Sequence, residues 1–179
     1  MNYDEIKKTF ALISFRKLDF KKAWKYFDGR LSLSDFSNKN KSLIYVKNKL
    51  FNLSTLDNNS KILVLREQGV GDEILYGSMY GDLLEKNQNV TFECDERLIP
   101  LFQYSLNQNH KDKFINLGSI SNYEDKLKNY DFVLYAGSLG KFFRNDINLF
   151  PKTSYLDVEQ EFINETKNKV AELKNRFNI

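Results

Sequence analysis

The chain has 179 residues and a formal charge of +3, with 41% hydrophobic and 15% aromatic residues; that is enough apolar surface for a core and excludes a wholly disordered chain. No apolar run is long enough to span a bilayer, and dispersed lysines with few arginines argue against a nucleic-acid grip. The single cysteine, Cys94, excludes an internal disulfide and a thiolate zinc set, and the polar start of the chain lacks a secretory h-region, so a cytoplasmic location is expected.

In chain order, Tyr3, Ile6, Phe10 and Ile13 recur at helical spacing, and Phe20, Ala23, Trp24 and Phe27 repeat it after a break at Leu18 and Asp19. Asp19 is the expected N-cap of the second helix. Residues 1–30 therefore read as a helical hairpin. Such a pair cannot bury both of its apolar faces alone and must pack on a neighbour. Trp24 reads as a packing residue. Residues 31–60 read as a connector, rich in Ser, Asp and Asn, with an apolar segment from Leu43 to Phe51 that is either a helix or an extended arm.

From Lys61 the pattern alternates. Ile62 to Leu65 is a continuous apolar run, as in a strand buried on both faces of a parallel sheet. Gly69 and Gly71 bracket Val70 in a sharp turn, and Asp72 stands as the expected N-cap of a helix running to about Lys86. Val90 to Cys94 is a second strand, and a helix from Arg97 to about Leu106 keeps Pro100 in its first turn. Asn107 to Lys113 is a polar loop, Phe114 to Leu117 a third strand, Tyr123 to Lys128 a short helix and Asp131 to Tyr135 a fourth strand, followed by a turn from Ala136 to Gly140. The order argues a doubly wound α/β domain over residues 61–156. After Pro151, the residues Val158, Phe162, Val170, Leu173 and Phe177 line one face of an amphipathic helix over residues 157–179.

Three candidates for chemistry stand out. Gly69 and Gly71 supply the first two glycines of a dinucleotide fingerprint, and Glu93 and Asp95 lie where a ribose-binding acid would. Ile74 occupies the third glycine's place, however, and Asp72 and Glu73 sit where a pyrophosphate would dock; no cofactor is expected. Asp72 itself has two readings: a carboxylate facing the ligand crevice as a general base, or a helix cap. His110 lies in a polar loop with no nucleophile or acid in a triad-like context, and Cys94 reads as an inert buried thiol. No metal set is expected.

The stretch Arg66-Glu-Gln-Gly-Val-Gly-Asp-Glu-Ile-Leu75 resembles the E-Q-G-x-G-D motif of bacterial tetratricopeptide-repeat proteins that carry a glycosyltransferase family 9, heptosyltransferase-like, module. Residues Leu18 to Arg30 look like the last repeat helix of those proteins, where a Gly-Asp-Phe, a Trp and an Arg recur. Phe92 to Leu98, Ala136 to Phe143 and Pro151 to Leu156 resemble further segments, so that the likeness covers most of the chain from Phe15. The resemblance implies a three-layer, Rossmann-like parallel sheet of the GT-B N-terminal-domain type behind a tetratricopeptide-like hairpin. It also implies an acceptor-binding half of an enzyme that moves a sugar from a nucleotide-sugar to a hydroxyl, with Asp72 as base. Gln68, Gly69 and Gly71 would shape the substrate turn, and Gly137 and Ser138 would line the same crevice. Such enzymes hold the donor mostly in a second, C-terminal domain. No second strand–helix series follows here, so the expectation is an incomplete half, a split enzyme or a non-catalytic binding module that offers its hairpin to a protein partner.

Overall fold

The structure, a computed structural model, describes residues 3–32, 57, 59–106, 112–118 and 123–177. Most of the expected connector, including Leu43 to Phe51, and the loop residue His110 lie outside the described residues.

Two helices open the chain, α1 (Tyr3–Arg16) and α2 (Phe20–Phe27), followed by a single 3-10 turn at Asp28–Ser32. The turn between the helices is a Schellman motif. Leu18 N donates to Phe15 O at 2.9 Å and Asp19 N to Ser14 O at 3.0 Å, so the last carbonyls of α1 are satisfied. Leu18 takes φ 58° to do this, a left-handed conformation usually given to glycine. Asp19 then caps α2, accepting from Lys22 N at 3.2 Å, as its position predicts.

The α/β unit carries strands β1 (Ile62–Leu65), β2 (Val90–Glu93), β3 (Phe114–Ile115) and β4 (Phe132–Tyr135). All pairings are parallel and the order is β3-β2-β1-β4. The chain thus builds outward from β1 through β2 and β3, then returns to lay β4 on the other flank of β1. The four residues of β1 are fully buried, which accounts for the unbroken apolar run. Ile62 and Val64 face one core with Tyr80, Phe92 and Phe102, where Tyr80 stacks on Phe92 at 4.1 Å. Leu63 and Leu65 face the other with Leu127, Val133 and Tyr135. The first core is covered by α3 (Val70–Gly77), α4 (Tyr80–Lys86) and α5 (Ile99–Ser105), and the second is covered in part by α6 (Tyr123–Lys128). Helices on both faces of a parallel sheet make an α/β fold compatible with a Rossmann-like arrangement.

Three local expectations need correction. The single helix to Lys86 is two helices, broken at Ser78. Gly77 lies so close to Phe102 that an added Cβ would sit 2.8 Å from its ring. The Ser78 hydroxyl satisfies Leu75 O at 2.8 Å, and Arg144 donates to Ser78 O at 2.7 Å. Side-chain donors take the place of helical N–H groups at the break. The turn from Ala136 to Gly140 is a 3-10 segment, Ala136–Leu139, running into α7 (Gly140–Phe143). Gly140 is where the hairpin docks: a Cβ there would lie 2.2 Å from the Trp24 indole, and Trp24 Nε1 donates to Arg144 O at 2.6 Å. Third, α3 begins at Val70 with Gly69 as N-cap, so Asp72 is its third residue rather than its cap.

The last helix, α8 (Gln160–Phe177), buries no residue. Its Glu165–Lys169 and Glu172–Arg176 spacings, acid four residues ahead of base, favour the helix locally. Among the described residues, no helix is long and apolar enough to cross a membrane.

Candidate functional site

The chain reverses direction across β1 between β2 and β4, and open α/β sheets bind ligands at such a switch, outside the carboxyl ends of the strands. Two loops meet there: Arg66 to Gly69 after β1, and Ala136 to Leu139 after β4.

Adjacent side chains of an extended strand end point to opposite sides, and here the two charged ones are each tied down. Glu67 turns toward β4. Its carboxylate accepts both forks of Arg30, Nε to Oε2 and Nη2 to Oε1, at 2.7 Å each, and also the Gly137 N–H at 2.6 Å. Arg30 comes from the 3-10 turn after α2 and is 3% exposed. It donates further to Ser138 Oγ at 3.2 Å and lies 3.1 Å from Asp28, which accepts from Ser138 Oγ at 2.7 Å and Lys141 at 2.8 Å. Burial works against charge on Arg30, and the Glu67 carboxylate outweighs it, raising its pKa. Burial likewise opposes ionisation of Asp28, but Lys141, Ser138 and Arg30 together hold its pKa below the usual value.

Arg66 turns toward β2. Its guanidinium lies 2.6 Å from Glu73 and 3.3 Å from Asp95, while its backbone N–H donates to Glu93 at 3.2 Å. Glu73 is fully buried and accepts from Asp95 N at 2.7 Å. Its burial pushes its pKa up against the opposing pull of the Asp95 N–H and Arg66.

Between these anchors Gln68 takes φ 61°, while Gly69 is extended at φ −120° and no glycine among the described residues has positive φ. The sharp reversal expected of the glycines is made by Gln68. Gly69 and Gly71 instead leave open ground: an added Cβ at either would meet nothing within 4 Å. Gln68, Gly69 and Gly71 are exposed, and Asp72 is half-buried with its carboxylate accepting the Gly69 N–H at 3.3 Å.

The predicted residues thus fall into two groups. Gln68, Gly69, Gly71 and Asp72 form one outward loop. Gly137 and Ser138 are buried, and their hydrogen bonds go to Glu67, Arg30 and Asp28. Glu73, expected beside Asp72 at the helix N-terminus where a pyrophosphate would dock, is instead turned inward to Arg66 and the Asp95 N–H, and Asp72 alone stands at that end. Glu93 and Asp95, in the place of a ribose acid, are engaged by Arg66. Cys94 is buried, its thiol pushed up to about 12 by burial and then by Glu73, as fits an inert thiol. Sequence reasoning missed the Arg30–Glu67 pair. Its two halves lie 37 residues apart, and only a lone Arg after the hairpin and an acid beside the glycine motif signalled them.

No family profile, curated protein or solved structure matches this chain.

Proposed function

We propose that the chain is the acceptor-binding half of a GT-B-type glycosyltransferase, with Asp72 as the base that takes the proton of an acceptor hydroxyl. The oxygen would attack the anomeric carbon of a nucleotide-sugar held by a facing Rossmann-like domain, and the nucleoside diphosphate would leave. The observation that carries this reading is the outward loop. Gln68 is held at φ 61° between two ion-pair anchors, the buried Arg30–Glu67 and the half-buried Arg66–Glu73, beside a half-exposed Asp72 and two glycines with open space above them. Strained backbone fixed from both sides is how binding loops are preorganised. The two glycines leave room for a sugar ring to approach the backbone, and the likeness of the Glu67-Gln-Gly-Val-Gly-Asp72 stretch to a glycosyltransferase motif supplies the reaction class.

Calorimetric titration with a panel of sugar-terminated acceptors tests the reading. Saturable binding is expected, weakened at least about tenfold by Gln68→Ala. Asp72→Asn is expected to keep the Gly69 contact and cost under about 1 kcal/mol of stability. It should abolish transfer when donor and a donor-binding domain are supplied. Full transfer by Asp72→Asn would reduce Asp72 to a helix-end acceptor.

A second reading is a non-catalytic binding module, and one observation favours it. Arg30, Ser138 and Gly137 fill the switch-point crevice with their own hydrogen bonds. In that reading the hairpin, with Tyr3, Ile6, Phe10 and Ile13 exposed on α1, docks a protein partner. Absence of binding across the acceptor panel would favour it.

A further inference from the structure

The helix α8 stands apart from both cores. Val170, Leu173 and Phe177 are 46%, 51% and 60% exposed. Along it Ile163, Thr166, Val170, Leu173 and Phe177 recur at alternating spacings of three and four, a coiled-coil seam with Ile163, Val170 and Phe177 at a and Thr166 and Leu173 at d. The charges are sorted around that seam. The four basic residues, Lys167, Lys169, Lys174 and Arg176, occupy the e and g positions that flank it. The three acidic residues, Glu161, Glu165 and Glu172, fall at c and f on the outward face. No ion pair among the described residues involves the helix.

The flanking charge selects the occupant. A second copy in parallel would set Lys169 against Lys174, and an antiparallel copy would set each basic flank against itself. Either pairing repeats like charges along the seam, which is unfavourable. A bilayer surface fits poorly as well. Flanking cations suit a bilayer boundary too, but Asn and Glu fill the polar face and four cations against three carboxylates leave the helix only +1, a weak pull toward anionic headgroups. Phe162, 61% exposed, lies at g beside the first turn of the seam, and beyond it Val170, Leu173 and Phe177 keep to a and d, a narrow stripe of the kind that pairs helices. We propose that α8 is a docking helix for a partner helix whose own a/d seam is flanked by Asp or Glu. The inference is independent of any sugar-transfer role.

The test uses the whole chain and two synthetic helical peptides of about four heptads. Both carry Ile and Leu at a and d; one has Glu and the other Lys at e and g. Fluorescence anisotropy at low salt is expected to show the Glu peptide binding at least about tenfold more tightly. The gap should narrow as salt screens the flanks. Leu173→Asp is expected to abolish binding. Because α8 buries nothing, the core should be untouched, with thermal unfolding as the control. The fourfold change Lys167→Glu, Lys169→Glu, Lys174→Glu and Arg176→Glu should reverse the preference. Sedimentation should show the chain alone as a monomer by this helix. Equal binding of the two peptides, or self-association lost on Leu173→Asp, overturns the proposal. So does tighter partitioning onto phosphatidylserine vesicles than onto the Glu peptide.

Discussion

At Arg30 and Glu67 two opposite charges are removed from water together, and the geometry that makes this tolerable is complete: two parallel hydrogen bonds of 2.7 Å, with Gly137 N–H and Ser138 filling further sites. Removing one partner leaves the other charged and buried. Arg30→Met is therefore expected to cost about 3–5 kcal/mol in urea unfolding, and Arg30→Met with Glu67→Gln clearly less than the sum of the two single changes. Asp28, beside this pair, and Glu73, in the Arg66 anchor, titrate with opposite sign. Asp28 has a folded pKa below its ordinary 3.8, so the unfolded chain binds more protons in that range and stability is lost as pH falls through it. Glu73 has a folded pKa above its ordinary 4.5; the native state binds more protons there, and stability is lost as pH rises from 4.5 through the folded value. Urea midpoints measured against pH should lose the acid-side slope in Asp28→Asn and the upper slope in Glu73→Gln.

At the scale of elements, the hairpin is closed by chemistry that its sequence conceals. The Schellman turn demands a left-handed residue, and Leu18 supplies it at φ 58°. Its side chain is 63% exposed, so little packing is lost if it is removed. Leu18→Gly is expected to raise stability by up to about 1 kcal/mol, read as a higher melting temperature, contrary to the usual effect of glycine near a helix. The same element shows how docking is specified. Trp24 reaches the α/β unit because Gly140 has no Cβ to exclude the indole and Arg144 offers a carbonyl to its N–H. Trp24 is thus the packing residue its helical spacing suggested, and its partner is a glycine that reads as part of a turn.

In the molecule as a whole, the hairpin is clamped onto the switch point by Arg30, Asp28 and Trp24, whereas α8 projects without burying a side chain. The two ends of the chain therefore contribute to stability very differently. Deleting residues 160–177 is expected to change the unfolding free energy of the remainder by no more than about 0.5 kcal/mol, since surface segments without buried groups contribute little. A loss of several kcal/mol on chemical denaturation would mean that α8 packs on the domain in solution.

Periodicity made the strands and most helices legible, because Ile62 to Leu65 and Phe132 to Tyr135 must be apolar on both faces to lie inside a parallel sheet. Capping chemistry placed Asp19, and alternation of strand and helix gave the α/β class. What local pattern does not encode is which distant groups meet. Glycines at 69 and 71 suggested where the backbone turns, but the anchors at Arg66 and Glu67 forced the turn onto Gln68 and left the glycines as open space. Asp72 and Glu73 looked alike as neighbours at a helix start. Burial separated them, turning Glu73 inward to Arg66 and leaving Asp72 outside. The sequence by itself determined the layers of this protein, because burial periodicity is a local property of the chain. Only the tertiary structure decided what fills the crevice, because a buried ion pair depends on two residues brought together across 37 positions.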